Sequence, residues 1–472
     1  MTIAEHFVRR NSYGPTSPVV GERGARTRRA IVEGALDCFE VKGFHNTSVE
    51  DIAAAVGISR AALYQYFENK EQLFGDLVET AGADLLRLIG RLGALGPTPM
   101  GFDNLHWWLG EWAWVQDKYR GVFLEWAVVD APEVPPQTFM ERFVGSASGR
   151  LSARLAANAG APTGLDADDA AVALLGVLFR VNDFRQRGFL RGLTDDAVLA
   201  GVATVVQYAL FPTTPPSVIR DLAVAQMQEI QAPVAEDGAA EPAGLRAVSS
   251  ASWVPRSPRP QPDPERFGNN ARVLHTVERL LDAGATVFAA RGYEGATVAD
   301  IRSEAGVARG TFYRYFDDKE ALLATLAEDC AVRLAALVAR LDGVLAEGAP
   351  RSEALRVWLH EYVEFHRRYR SVLRAWTDQD LAGVAQTDLG FTVAVATVRT
   401  FDHALARIER RHPFDVRVGS IMLLAMLESI PGYSMGAGPL LTEDRVVDVL
   451  ATFICRGLLS DRTGLSETSR LA

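Results

Sequence analysis

Arginine, tyrosine and lysine recur at a fixed spacing in two stretches of this sequence, and a glutamine in the first stretch is replaced by arginine in the second. Residues 57–74 read GISRAALYQYFENKEQLF, and residues 306–323 read GVARGTFYRYFDDKEALL. Arginine and glutamine side chains make paired hydrogen bonds to guanine and adenine edges in the major groove of DNA. A lysine at the start of a helix lies where backbone N–H groups favour an anion. The chemistry that these residues allow is recognition of phosphates and base edges.

The surrounding residues predict short helices that would position these side chains. Ser48 is followed by Asp51 in the capping-box pattern, which predicts a helix start. Gly57 is predicted to end that helix, because glycine adopts the left-handed conformation that helix ends require. Ser59 then precedes a second short helix over 60–66. Two short helices joined by a glycine turn form a helix-turn-helix, whose second helix enters the major groove.

A third helix is predicted to begin near Lys70, capped by Asn69. The second copy repeats all of these signals with Thr297, Asp300, Gly306 and Asp318 before Lys319. It departs from the first at Ala308, which stands where the first copy has Ser59. Alanine has no side-chain acceptor, so the N-cap hydrogen bond is predicted to be missing there.

Each copy resembles the DNA-binding domain of the TetR-type repressor family. In the first copy the resemblance rests on Phe39, Gly43, Thr47, Val49, Ile52, Ala53, Gly57, Ser59, Tyr64, Tyr66, Phe67, Lys70 and Leu73. In the second it rests on Phe288, Gly292, Thr297, Val298, Ile301, Gly306, Tyr313, Tyr315, Phe316, Lys319 and Leu322. The resemblance implies an all-α fold made of two tandem units. Each unit would have a three-helix headpiece followed by a helical ligand-binding and dimerisation core.

The resemblance also implies which residues contact double-stranded DNA. Thr47, Tyr66 and Lys70 would contact phosphates, and so would Tyr315 and Lys319. The residues expected at the DNA in the first copy are Thr47, Ser48, Ser59, Arg60, Ala61, Ala62, Tyr64, Gln65, Tyr66 and Lys70. Those expected in the second are Thr297, Arg309, Gly310, Thr311, Tyr313, Arg314, Tyr315 and Lys319.

Some of these residues also have structural interpretations. Tyr64 and Tyr66 lie two apart on a helix and cannot share one face, so one can pack inside while the other meets DNA. The side chains predicted to be core are Phe67, Phe316, Ile52 and Ile301. Residues 21–74 hold seven Lys/Arg against eight Asp/Glu, so local charge gives no independent support for DNA binding. The run RGARTRR at 23–29 is a candidate basic arm.

The similarity between the copies extends well beyond these stretches. Twelve of thirty-two positions are identical between 43–74 and 292–323, and seven of nineteen between 108–126 and 358–376. A duplicated unit of this length is a tandem pair of domains. The predicted parts are a disordered tail (1–22), a first helix-turn-helix domain (23–74) and core (75–211), a proline-rich linker (212–266), a second helix-turn-helix domain (267–323) and core (324–460), and a tail (461–472).

Family members dimerise through their last two helices, which would be 170–187 and 195–211 here, with 418–431 and 442–459 as counterparts. Paired within one chain, they would form an intramolecular four-helix bundle and a pseudo-dimer. The alternative is that these helices bury only against their own domain. The two reading helices differ, with Gln65 and Ala62 replaced by Arg314 and Thr311. We therefore expect an operator with two non-identical half-sites.

Tryptophan is concentrated in residues 107–126, which contain five of the eight. The aromatic residues expected to line an effector pocket are Trp108, Trp112, Trp126, Trp358, Tyr362 and Trp376, with core packing as the alternative. The family habit suggests a small apolar effector. No residue identifies it.

Composition limits the other functions. A net charge of −10 gives no global attraction to nucleic acid or membrane, so binding must come from a local face. The three scattered cysteines are those expected of reduced thiols in a cytosolic protein, with no cofactor, metal site or membrane span predicted. The six-residue spacing of His360 and His366 does not match metal-binding geometry, and an enzyme is not expected. A DNA-binding activator or architectural protein without an effector is the alternative.

Overall fold

The computed structural model describes residues 22–123, 136–157, 165–219, 271–345, 351–377, 384–408, 414–434 and 442–459. The predicted tails (apart from residue 22), the linker beyond residue 219 and Trp126 lie outside these ranges. Every regular element in the described ranges is a helix, which confirms the all-α prediction. The chain divides into two compact units, one of Met1–Gly188 with Asp195–Val224 and one of Phe189–Thr194 with Ala225–Ala472.

The first unit begins with a head of three helices followed by a long connecting helix. The helices described in this unit are α1 (Glu22–Lys42), α2 (Val49–Val56), α3 (Arg60–Leu63), α4 (Lys70–Gly90), α5 (Pro99–Lys118), α6 (Arg120–Phe123), α7 (Pro136–Ala156), α8 (Ala167–Gln186) and α9 (Asp195–Leu210). We call α1–α3 with the start of α4 the first head, and α4–α9 the first core.

The second unit repeats the order of these helices. Those described are α10 (Ala271–Gly295), α11 (Val298–Ala305), α12 (Arg309–Phe312), α13 (Lys319–Leu345), α14 (Arg351–Thr377), α15 (Val384–Ala406), α16 (Val416–Ser434) and α17 (Glu443–Phe453), with a π-helical turn at Ile454–Leu458. Of these, α10, α13, α14 and α15 are longer than their counterparts. The second head is α10–α12 with the start of α13, and the second core is α13–α17. The helix α14 is continuous, whereas its counterpart is interrupted at Tyr119 between α5 and α6.

Two side-chain hydrogen bonds recur in both cores. They hold the helix α5 or α14 on the long connecting helix α4 or α13. Trp108 Nε1 donates to the Leu88 carbonyl at 3.1 Å, and Trp358 Nε1 donates to the Leu337 carbonyl at 2.9 Å. The hydroxyl of Tyr119 donates to Asp84 Oδ2 at 2.6 Å. In the second core the hydroxyl of Tyr369 donates to Asp329. The duplicated aromatic residues therefore act as packing anchors with their polar atoms satisfied.

The first head rests on its core through a close backbone approach. Gly121 in α6 lies so near α1 that a Cβ atom on it would be 2.7 Å from the Glu40 nitrogen. Arg120 forms an ion pair with Glu40 at 3.6 Å and donates to the Gln186 carbonyl at 3.0 Å. In the second unit Arg370 donates to the Ala289 carbonyl of α10 at 3.0 Å. Each head is thus held by the arginine that follows the Tyr119 or Tyr369 position.

Residues 212–219, predicted as the start of the linker, pack on the first core. Thr214 is buried, accepts from Gln207 Nε2 at 2.9 Å and donates to the Phe211 carbonyl at 2.7 Å. Ile219 is buried as well. The packed part of the first unit therefore continues past the predicted boundary at residue 211.

Candidate nucleic-acid interface

Both heads contain the predicted turn between their two short helices. Ser48 and Thr297 each cap their helix in a reciprocal capping box with Asp51 and Asp300. Gly57 has φ 71°, and the Ile58 nitrogen donates to the Ala53 carbonyl at 2.9 Å. These are the left-handed residue and the long-range bond of a Schellman helix end.

The second head builds the turn in the same way. Gly306 has φ 61°, and the Val307 nitrogen donates to the Arg302 carbonyl at 3.1 Å. Arg279 adds a support that the first head lacks, since its guanidinium donates to the Ala305 carbonyl. Residue 30, the equivalent position in the first head, is alanine. The turn geometry is therefore shared, although the side chains behind it differ.

The reading helices α3 and α12 start at equivalent residues but are capped differently. Ser59 Oγ accepts from the Ala62 nitrogen at 3.1 Å. Ala308 provides no side-chain cap, as predicted, yet α12 still begins at Arg309. Regular helix ends at Leu63 and Phe312, and hydrogen-bonded turns follow. The regular helix is therefore shorter than the predicted range of 60–66.

Buried side chains hold each reading helix on its head. Leu63 and Phe67 are 1% exposed, and Phe312 is fully buried. The core predictions for Phe67, Phe316, Ile52 and Ile301 are confirmed. Because these side chains point inward, the opposite face of each reading helix is presented to solvent.

That outer face carries an arginine and a tyrosine at i and i+4 in both heads. Tyr64 is 41% exposed and Tyr313 is 44% exposed. The Arg60 guanidinium lies 5.5 Å from the centre of the Tyr64 ring, and the Arg309 guanidinium lies 5.8 Å from that of Tyr313. Such stacking orients the guanidinium over the ring. The variable residues Gln65 and Arg314 are exposed next to these pairs.

The remaining predicted residues of the outer face are also accessible to different degrees. Those exposed are Ser48, Ser59, Ala61, Thr297 and Gly310, and those half-buried are Ala62, Tyr66, Thr311 and Tyr315. Tyr66 is thus less accessible than Tyr64, which matches the expectation that the two tyrosines face different sides.

The first head carries a carboxylate that the second head lacks. Glu50 forms an ion pair with Arg60, and Arg60 Nη2 also lies 3.3 Å from the Tyr64 hydroxyl. That hydrogen bond, followed by the Glu50 charge, raises the pKa of Arg60. The position equivalent to Glu50 is Ala299. No carboxylate at this position therefore compensates the charge of Arg309.

Thr47 and the two lysines are engaged inside the heads rather than displayed to solvent. Thr47 is 2% exposed, and its hydroxyl donates to the Gly43 carbonyl at 2.7 Å. Lys70 Nζ donates to the carbonyls of Phe44 at 2.8 Å and Thr47 at 3.0 Å. Lys319 Nζ does the same to Tyr293 at 2.8 Å and Ala296 at 3.3 Å. Their phosphate contacts remain a prediction and compete with these internal bonds.

Thr47 and Thr297 are both named above as family residues, but they are not equivalent positions. Thr297 caps α11, and the residue that caps α2 in the same way is Ser48. Thr47 corresponds to the buried Ala296. The candidate basic arm at 23–29 is helical as part of α1, and its Arg28 pairs with Asp76. Its contact with DNA remains a prediction.

The predicted aromatic pocket residues lie in the cores. Trp108, Trp112, Trp358 and Tyr362 are buried, and Trp376 is half-buried against Gly390. Two buried polar residues lie on the same helices, Gln116 and His366. The sequence analysis missed Gln116 and considered His366 only as a metal ligand. Burial lowers the pKa of His366 to about 4. The spacing of these residues four positions after Trp112 and Tyr362 is the signal that would have found them.

Within the described ranges no helix is long and apolar enough to cross a membrane. Nor does this part of the chain contain a group of three His, Cys, Asp or Glu side chains that would hold a metal ion.

Two helix-turn-helix heads with exposed arginine–tyrosine pairs, each joined to a helical core, define a DNA-binding regulator with a duplicated reading element. The model of the bacterial regulatory proteins of the tetR family matches twice, at residues 31–77 and 280–326. The HTH-type transcriptional repressor AcnR of Corynebacterium glutamicum is 32% identical over 173 residues, which cover 34% of this chain and 89% of that protein. The chain belongs to the TetR family.

Two other relatives agree with this assignment. AcnR of Corynebacterium efficiens is 31% identical over 142 residues, covering 29% of this chain and 72% of the relative. The HTH-type transcriptional repressor Rv1474c of Mycobacterium tuberculosis is 31% identical over 114 residues, covering 23% and 60%. Family and relatives therefore indicate a transcriptional regulator rather than an enzyme.

Proposed function

We propose that this chain is a repressor that binds its operator as a single-chain pseudo-dimer and releases it when a small apolar effector binds the cores. The observation that carries the proposal is the exposed Arg–Tyr pair on the outer face of both reading helices, built on the same glycine turn. Side chains of this kind bind phosphates and base edges. The relatives described above are named as repressors, which supports this direction of control.

The pseudo-dimer explains why two heads are needed. Helix-turn-helix proteins contact two half-sites about one helical turn apart, usually by dimerising. The helices α8, α9, α16 and α17 are those expected to pair. The first three carry apolar residues on most faces, as a helix covered on both sides requires, whereas α17 is apolar on one face and charged on the other. The proposed domain boundaries are those predicted from the sequence, with the first core extended to residue 219.

The half-sites are proposed to differ because the two reading faces differ. Gln65 pairs with adenine and Arg314 with guanine, if each reaches its base edge in the major groove. Binding-site selection with the purified chain tests this, and we expect two half-sites of unequal sequence. The R314Q variant, which restores the first head's residue, should shift the second half-site toward adenine. Selection of perfect palindromes by the parent chain would contradict the proposal.

Effector release is tested on the selected operator. Apolar compounds added to the complex should dissociate it, as measured by fluorescence anisotropy. A chain that binds the operator tightly and ignores every compound would instead be an activator or architectural protein without an effector.

A further inference from the structure

The first core contains two buried polar groups whose hydrogen-bond donors lack partners in the described chain. Trp112 is fully buried and Gln116 is 3% exposed, both on α5. Trp112 Nε1 and Gln116 Nε2 have no hydrogen-bond partner among the described residues. Positions four apart lie on the same side of a helix, so both donors face one region. Leaving such groups unpaired in a protein interior is unfavourable, which makes each instance informative.

The second core has an unpaired group at the equivalent place. Residues 362 and 366 correspond to Trp112 and Gln116 at the spacing of 250 that relates the two core helices. His366 is 5% exposed, and its Nδ1 has no partner within the described ranges. The ring donates a hydrogen bond to the main chain of Glu428. Since burial keeps the imidazole neutral, the remaining nitrogen Nδ1 is an acceptor.

The tryptophan one turn earlier on each helix is satisfied, whereas His106 on α5 and Arg368, Ser371 and Trp376 on α14 also carry a buried polar atom without a partner in the described ranges. Trp108, one turn before Trp112, donates to Leu88, and Trp358, one turn before Tyr362, donates to Leu337. Among these unpaired groups, Gln116 and His366 occupy the same helical position in the two copies. This coincidence points to a shared binding site whose chemistry has diverged.

Aromatic rings surround the unpaired donors of the first core. The ring centre of Trp112 lies 5.4 Å from Trp108 and 5.3 Å from Phe179, the latter edge to face. Phe123 and Phe143 approach Phe179 at 5.9 and 6.0 Å. These rings come from α5, α6, α7 and α8, so the group lies where four helices meet. Such surroundings match a flat apolar molecule.

The second core surrounds its acceptor with a different set. The Tyr362 ring stacks on Trp358 at 5.5 Å, with 19° between the planes, and lies 6.3 Å from His366. On the α16 side is Gly432, where a Cβ atom would be 3.9 Å from the imidazole. The small residue leaves room beside the ring that a larger side chain would fill.

We propose that Trp112 and Gln116 bind the oxygen acceptor of an uncharged aromatic effector in the first core, whereas His366 binds the hydroxyl or N–H donor of a second aromatic effector. A ketone or amide oxygen is preferred over a carboxylate, because neither donor carries a charge that would offset its desolvation. The inference rests on the proposed ligand-responsive function. It limits the expected effectors to two classes of aromatic molecule, one carrying a hydrogen-bond acceptor and the other a hydrogen-bond donor.

The test measures binding of three probes to the full chain without DNA, by equilibrium dialysis. The probes are 2-acetylnaphthalene (an acceptor), 2-naphthol (a donor) and naphthalene (neither). We expect the parent to bind acetylnaphthalene and naphthol at least tenfold more tightly than naphthalene. The double variant W112F/Q116L should lose the preference for acetylnaphthalene and keep that for naphthol. H366F should lose the preference for naphthol and keep that for acetylnaphthalene.

W107F is the matched control, because Trp107 is on the same helix but 41% exposed. It should change neither preference. Each preference is a ratio of two affinities in one variant, so a partial loss of folding does not imitate the expected pattern. Equal affinity for naphthalene and both substituted probes, binding of none of them, or unchanged ratios in the variants would overturn the inference. Operator binding by the same proteins reports separately on the proposed DNA-binding function.

Discussion

At the scale of single residues, the charge of Glu50 distinguishes the two heads. It neutralises Arg60 on the face expected to meet phosphates, whereas Ala299 leaves Arg309 unopposed. We expect E50A to tighten operator binding about three- to tenfold, because a negative charge is removed beside the DNA backbone. Fluorescence anisotropy at two salt concentrations measures this.

The second head offers the reverse change. A299E places a carboxylate at the equivalent position and should weaken binding by a similar factor. If both variants bind like the parent chain, then α2 and α11 do not approach the DNA backbone.

A second residue-scale prediction concerns acid stability. Burial, with a smaller contribution from the Arg370 charge, lowers the pKa of His366 to about 4. Unfolding lets the ring bind a proton below its ordinary pKa of about 6.5, so stability is lost as the pH falls from 6.5 towards 4. The difference corresponds to about 3 kcal/mol of unfolding free energy.

Urea unfolding at pH 7 and pH 4 measures this loss. The control is H366Q, which installs the residue that the first core has at position 116 and cannot titrate. Its stability should fall about 3 kcal/mol less than that of the parent over this range. Equal losses in both proteins would assign the acid sensitivity to other groups.

At the scale of elements, the missing cap of α12 is open to repair. A308S supplies the side-chain acceptor that Ser59 gives α3, and should stabilise the second head by about 1 kcal/mol. S59A should destabilise the first head by a similar amount. Hydrogen exchange of the amides in α3 and α12 checks both changes. Slower exchange of α12 is expected in A308S, and no change there would mean that the capping group is replaced by solvent.

The approach of α6 to α1 gives another element-scale prediction. G121A puts a methyl group against the main chain of Phe39 and Glu40, which has no side-chain freedom to yield. We expect a loss of about 1–3 kcal/mol in unfolding free energy. The control G145A is at an exposed helical position with no atom within 4 Å, and should stabilise by up to about 1 kcal/mol. Thermal unfolding of both variants makes the comparison, and equal effects would contradict the packing argument.

The local elements of the heads were predictable because their signals lie within a few residues of one another. The capping pairs of Ser48 and Thr297 and the glycine ends at Gly57 and Gly306 need only short-range chemistry. Lys70 was harder, since its partners in the α1–α2 loop lie 23 and 26 residues away. The same limitation hid Gln116 and His366, whose significance depends on which helices cover them.

At the scale of the whole molecule, the proposed pseudo-dimer predicts how many chains bind one operator. One chain should occupy a complete operator, because it supplies both heads. Native mass spectrometry of the complex should show one protein per duplex, and the double variant R309A/Y313A should bind far more weakly than the parent while remaining folded by circular dichroism. Two chains per operator would show that the heads of one chain do not serve the same site.

The lysine held by two carbonyl groups in each head has a consequence for how the molecule meets DNA. Lys70 and Lys319 also lie 4.3 Å from the ring centres of Phe44 and Tyr293, so the loop before α2 or α11 is fastened to the helix after the reading element. The conformational entropy of this loop is therefore lost during folding, so little remains to be lost when the head binds DNA. We therefore expect each head to meet the duplex as a rigid template, and an operator that bends easily to fit it to gain affinity at bases that no side chain touches.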